Sequence, residues 1–96
     1  MAWDVFVTYG IMPFTLKADL EYHSNQVMRI RVHGKNTSLL LENNYPALRL
    51  LKSKKGIKWK IREGAMKEGT PETARLLVHI MEELETIIKS EFPAEY

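Results

Sequence analysis

The chain has 96 residues, 45% of them hydrophobic and 27% charged, with a formal net charge of +2 and no cysteine. That length supports one domain around one core and excludes a second, while the missing cysteines exclude a disulfide framework, a thiolate metal site and a cysteine nucleophile. No apolar run approaches the ~20 residues that span a bilayer, and Asp4, Tyr9, Gly10 and Pro13 interrupt the N-terminal apolar stretch, so a cytoplasmic protein with neither a signal segment nor a membrane partner is expected.

Trp3, Val5, Val7 and Tyr9, spaced by two, predict a first strand. Gly10 and Pro13 punctuate it. Phe14, Leu16, Ala18, Leu20 and Tyr22 then alternate with Thr15, Lys17, Asp19, Glu21 and His23 without exception, which predicts a strand with one buried face. Asn25, which tolerates left-handed backbone geometry, turns the chain into Met28, Ile30 and Val32, alternating with Arg29, Arg31 and His33. Residues 14–33 therefore read as a hairpin. If Tyr22 and Met28 both face inward, parity sets Glu21 opposite Arg29 and Asp19 opposite Arg31 on the solvent side.

After a turn at Gly34 to Asn36, Leu39 and Leu41 predict a strand within 37–43, and Leu48 to Lys52 is a shorter strand candidate beyond the turn residues Asn43 to Pro46. Past Lys54 to Gly56, Ile57, Trp59 and Ile61 predict a last strand whose other face carries Lys58, Lys60 and Arg62. The period then changes. Thr70 suits an N-cap, Pro71 the first helical position and Glu72 the positive end of the helix dipole, so a helix is expected from Pro71 to about Glu91, with Pro93 as its stop. Ala74, Leu77, Val78, Met81, Leu84 and Ile88 fall at helical spacing, and Leu76, Ile80 and Ile87 widen the stripe. Leu76 and Ile87 should both be hidden from water, either by a curled sheet or by a second copy of the chain.

Short gaps favour antiparallel hairpins over crossovers. The fold class is α+β: a five- to six-stranded antiparallel meander over residues 1–63, curled around one long C-terminal helix over residues 70–91, in a single domain. Such a helix is ~31 Å long and such a sheet ~25 Å wide, so one helix is long enough to cover the sheet.

Charge is unevenly divided along the chain. Residues 43–62 hold seven bases (Arg49, Lys52, Lys54, Lys55, Lys58, Lys60 and Arg62) and no acid, whereas residues 63–96 hold eight acids against three bases. These seven form the candidate binding surface, a basic hairpin. His23, His33 and His79 are not spaced as metal ligands, no serine or threonine sits in a nucleophile-elbow motif, and the glycines form no phosphate loop. Glu82, Glu83 and Glu85 read as a solvated helix face. No catalytic residue, metal or cofactor is expected.

The basic hairpin fits three roles: protection of a sheet edge by lysine, contact with an acidic protein or another copy of the chain, and contact with RNA or single-stranded DNA. Tyr45 is the one nearby aromatic expected as a stacking platform for a base. In element order, strands followed by one long helix, the chain resembles the fold of the single-stranded-DNA-binding transcriptional coactivator and Whirly type. That is a resemblance of topology, carried by no sequence motif, and it implies a single-stranded nucleic acid as partner. The leading expectation is a non-enzymatic interaction domain that binds a protein partner, or itself, through the sheet face and the basic hairpin. An apolar small-ligand carrier, with its pocket between sheet and helix, is a further alternative.

Overall fold

A computed structural model of the chain describes residues 2–9, 11–34, 38–64 and 71–93. Among these residues five strands, β1 (Ala2–Tyr9), β2 (Met12–His23), β3 (Met28–His33), β4 (Ser38–Asn43) and β5 (Trp59–Glu63), lie side by side in chain order. All neighbours are antiparallel, so the sheet is a meander, with β1 and β5 at its edges among the described residues. A short helix, α1 (Tyr45–Leu50), stands between β4 and β5, and α2 (Pro71–Glu91) closes the chain. The expected cap Thr70 and the expected turn at Lys35 and Asn36 lie outside the described residues.

The core is the helix-facing side of the sheet. Val5, Val7, Leu16, Ala18, Met28, Ile30, Val32, Leu39 and Leu41, all expected inward from alternation, are buried together against Leu76, Ile80, Leu84 and Ile88. Those four helix residues recur every four positions, a stripe narrower than the one read from the wheel. Val78 and Ala74, assigned to the stripe, are exposed instead. Of the two residues expected to be hidden, Leu76 is buried and Ile87 is half-buried. The helix packs most closely on β1, while its C-terminal turns reach α1 and β5: Tyr45 donates its hydroxyl proton to the Phe92 carbonyl at 2.6 Å, and the Trp59 indole N–H donates to Glu85 at 3.0 Å. The polar atom of Trp59 is thereby satisfied on the helix side. Ile61, expected inward, lies on the edge strand away from the helix's main contact and is 40% exposed.

Three local departures from the sequence reading have physical causes. The first is a β-bulge between Leu20 and Tyr22: Asp19 pairs with Arg31 as expected, but Tyr22 then pairs with Arg29, and Glu21 is the extra residue. Tyr22 turns out to solvent, where the Arg29 guanidinium sits 4.9 Å from its ring centre. The turn that follows is closed by Ser24, whose Oγ accepts the N–H groups of Gln26 and Val27, while among the described residues the only non-glycine with positive φ is Lys52. Asn25 therefore does not use its left-handed tolerance.

The second departure is α1, where a strand was expected over Leu48 to Lys52. Pro46 in the first turn fixes a helical φ without losing a needed donor, and the Asn43 carboxamide oxygen accepts the Tyr45 N–H at 2.9 Å. The helix ends in a Schellman arrangement, with the Ser53 N–H on the Leu48 carbonyl at 2.8 Å and the Lys52 N–H on that of Arg49 at 3.1 Å. Tyr45, expected as a stacking platform, is buried in the core. The third is a bulge between Leu40 and Leu41 in the β4–β5 ladder, which makes Arg62 the extra residue.

Gly64 ends β5 at φ +81°, and a Cβ on it would sit 2.2 Å from the Ser38 carbonyl oxygen. At Gly56 a Cβ would meet nothing within 4 Å. Gly64→Ala should therefore lower stability by more than ~1 kcal/mol in urea unfolding, with Gly56→Ala near neutral. Equal effects would show that β5 is not held by this close approach.

Candidate binding surface

Seen from the solvent side, the sheet is a set of cross-strand rows set by the register. One row runs Asp19, Arg31, Leu40, Glu63, and the next runs Arg29, Glu42, Lys60. Arg31 bonds Glu21 on one side and Glu63 on the other, the latter at 2.6 Å. To reach Glu63 it must cross β4 at Leu40, which explains why Leu40 is buried although it faces away from the helix. The two carboxylates push the Arg31 pKa still further above its ordinary range, first through the Glu21 hydrogen bond and then through that of Glu63. Its charge is permanent. Asp19, expected beside Arg31, bonds His33 at 3.1 Å, and Lys17 pairs with Asp4.

Glu42 collects the other cations. It accepts from Arg29 Nε at 2.9 Å and lies 3.9 Å from Arg62 Nε. The Arg29 hydrogen bond holds its carboxyl below the ordinary value, with Arg62 and Lys60 adding to the effect and desolvation opposing it. Lys60 and Arg62 both stand in the field of Glu42.

The seven bases of the candidate surface are thus split. Lys60 and Arg62 belong to the sheet's own charge lattice. Arg49, on α1, lies with its guanidinium carbon 5.9 Å from the rings of both Tyr45 and Phe92. Lys52, Lys54, Lys55 and Lys58 are exposed on the segment joining α1 to β5 and form no ion pair among the described residues. The segment is braced: Asn44 Oδ1 accepts the Lys58 N–H at 2.8 Å, and Ser53 Oγ that of Lys55 at 3.2 Å. Two residues that the charge reading passed over precede the lysines. Leu50 and Leu51 are 67% and 75% exposed, because the Schellman turn carries the chain away from the core directly after α1. The Pro46 helix signal was the clue to them, since it sets where α1 starts and hence which leucine faces out.

The histidines stay apart. His33 is beside Asp19, His79 is 3.5 Å from Glu83 one helical turn on, and His23 meets Phe92. Among the described residues no helix is long and apolar enough to cross a membrane. No family model, curated protein or solved structure matches this chain. The resemblance to the coactivator and Whirly type therefore rests on element order alone.

Because the folded-state pKa of Glu42 is depressed, its ionised form contributes stability above the unfolded value near 4.5, and that stability is lost as pH falls through the lower folded value. Glu42→Gln should therefore flatten the acid limb of the stability curve measured by urea unfolding. An unchanged limb would mean that the Arg29 contact is not formed in solution.

Proposed function

We propose that the chain is a non-enzymatic interaction domain that binds an acidic segment of a protein partner through the segment from Leu50 to Lys58. The observation that carries this reading is the pair of exposed leucines, Leu50 and Leu51, followed by four exposed lysines without ion-pair partners among the described residues. An acidic peptide with an apolar anchor satisfies both parts, since cations steer it and the leucines give it dry contact area. The sheet face is a weaker choice, because its charges are already paired with one another. Single-stranded nucleic acid is supported less: Tyr45 is buried and the Trp59 indole is turned to Glu85, so the basic segment offers bases no stacking platform of its own.

A second reading, self-association, has its own support at the other end of the sheet. Phe6, Ile11 and Met12 are exposed around the β1–β2 connection, on the edge of the sheet. Light scattering on the parent and on Phe6→Lys decides it: a dimer that dissociates in the variant supports this surface, and a monomeric parent removes it.

For the leading reading, a fluorescein-labelled peptide alternating glutamate and leucine should bind with an affinity that falls as salt rises. Replacing Lys54, Lys55 and Lys58 by glutamine should weaken it, and Leu50→Ser with Leu51→Ser should weaken it at high salt as well. An oligothymidylate that binds more tightly than the peptide, with a salt slope reduced by ~0.7 for each lysine removed, would favour nucleic acid instead.

A further inference from the structure

On unbroken alternation His23 would share the solvent face with Asp19 and Glu21. The bulge at Glu21 inverts its parity, pairs it with the fully buried Met28 and brings its ring edge-on to Phe92, with centroids 5.0 Å apart. Arg49 lies against the same Phe92 ring. One aromatic ring thus gathers an imidazole and a guanidinium that are 26 positions apart in the chain, at Phe92, just past the end of α2.

Between the β2–β3 turn and α1 is a cavity of about 370 Å³, lined by His23, Ser24, Asn25, Arg49 and Lys52, with no acid in its wall. Its sides are fixed to each other. The Ala47 N–H donates to the Gln26 carbonyl at 3.3 Å, and the Tyr45 hydroxyl holds Phe92. Lys52 enters from the Schellman turn at φ 54°, a position that ordinarily belongs to glycine. A basic side chain is therefore carried where backbone preference argues against any side chain. Neither Arg49 nor Lys52 has an ion-pair partner among the described residues.

We propose that this cavity is a binding site for a phosphomonoester group, held by the Arg49 guanidinium and the Lys52 ammonium, with the His23 imidazole and the Asn25 carboxamide as further donors. The donors come from two separate segments, 23–25 and 49–52, on the two sides of the cavity and so from different directions, which suits the spread of a tetrahedral phosphoryl group; a carboxylate, with two oxygens in one plane, is matched by a single arginine fork. The cavity shares Leu50 and Lys52 with the acidic-segment surface and goes beyond that reading through His23, Asn25 and Arg49, which the acidic segment does not need.

The test is an NMR titration of the isotopically labelled chain with inorganic phosphate, glycerol phosphate and a phosphoserine peptide, each against sodium acetate at matched ionic strength. Saturable shifts at the His23 ring and the Arg49 side-chain N–H are expected with the phosphates and not with acetate. Lys52→Gly should weaken phosphate binding about tenfold, the loss of one charged donor, while raising the thermal midpoint, because glycine relieves the positive φ. Arg49→Gln should weaken it at least as much. Tighter binding of the peptide assigns the group to a phosphorylated segment, and comparable or tighter binding of glycerol phosphate assigns it to a small metabolite. The proposal is overturned by an equal response to acetate, by no saturable shift with any phosphate, or by a Lys52→Gly variant that binds as the parent does.

Discussion

Side chains alternate across a strand only while the register holds, and in this sheet it breaks at two places that decide what each surface becomes. Up to Leu20 the β2–β3 hairpin follows strict alternation, and its inward residues form the core against α2. Beyond Leu20 one extra residue puts both Glu21 and Tyr22 on the solvent side and His23 on the helix side. Without that insertion Glu21 would stand opposite Arg29, and His23 would have no route to Phe92. The second bulge, at Arg62, brings Glu63 into the row of Arg31 and so completes the bridge over Leu40. Both irregularities occur where a polar network, rather than the core, is being built.

The result is a solvent face whose charges are largely internal. Arg29, Arg31, Lys60 and Arg62 are matched by Glu21, Glu42 and Glu63, and each exposed pair contributes only ~0–1 kcal/mol. Their value lies more in setting register, because a one-residue slip would separate every row at once. The bases left over are those that follow α1, where the chain has no acid between Asn43 and Arg62. Charge segregated in sequence becomes charge segregated in space only for the part of the segment that the sheet does not take up.

Alternation made most of the fold legible: the strands read over 3–9, 14–23, 28–33, 37–43 and 57–62 match β1 to β5 to within two residues at each end, and the inward residues from Val5 to Leu41 and the helix to Glu91 follow. A bulge leaves no mark in a binary pattern, so Tyr22 and His23 were assigned to the wrong faces although every residue type around them was read correctly. The short helix was lost for a different reason. Six residues give too little periodicity to separate helix from strand, and only Pro46 carried the distinction. As for the site, the seven bases were visible by composition, yet which of them are neutralised depends on Glu42, and where Arg49 is held depends on its ring partners, contacts up to 43 residues apart in sequence.

The backbone at Lys52 bears on why α1 is there at all. Lysine at positive φ costs on the order of 1 kcal/mol relative to glycine, a loss that a helix of six residues does not recover from its own hydrogen bonds. The helix is held instead by burial of Tyr45, Pro46 and Leu48 and by the bond from Tyr45 to Phe92. That anchoring is strong enough to carry a strained residue at its end, and it fixes Arg49 against Phe92 in the same stroke. A sequence selected for stability alone would place glycine at position 52 and leave one basic group fewer at the mouth of the cavity.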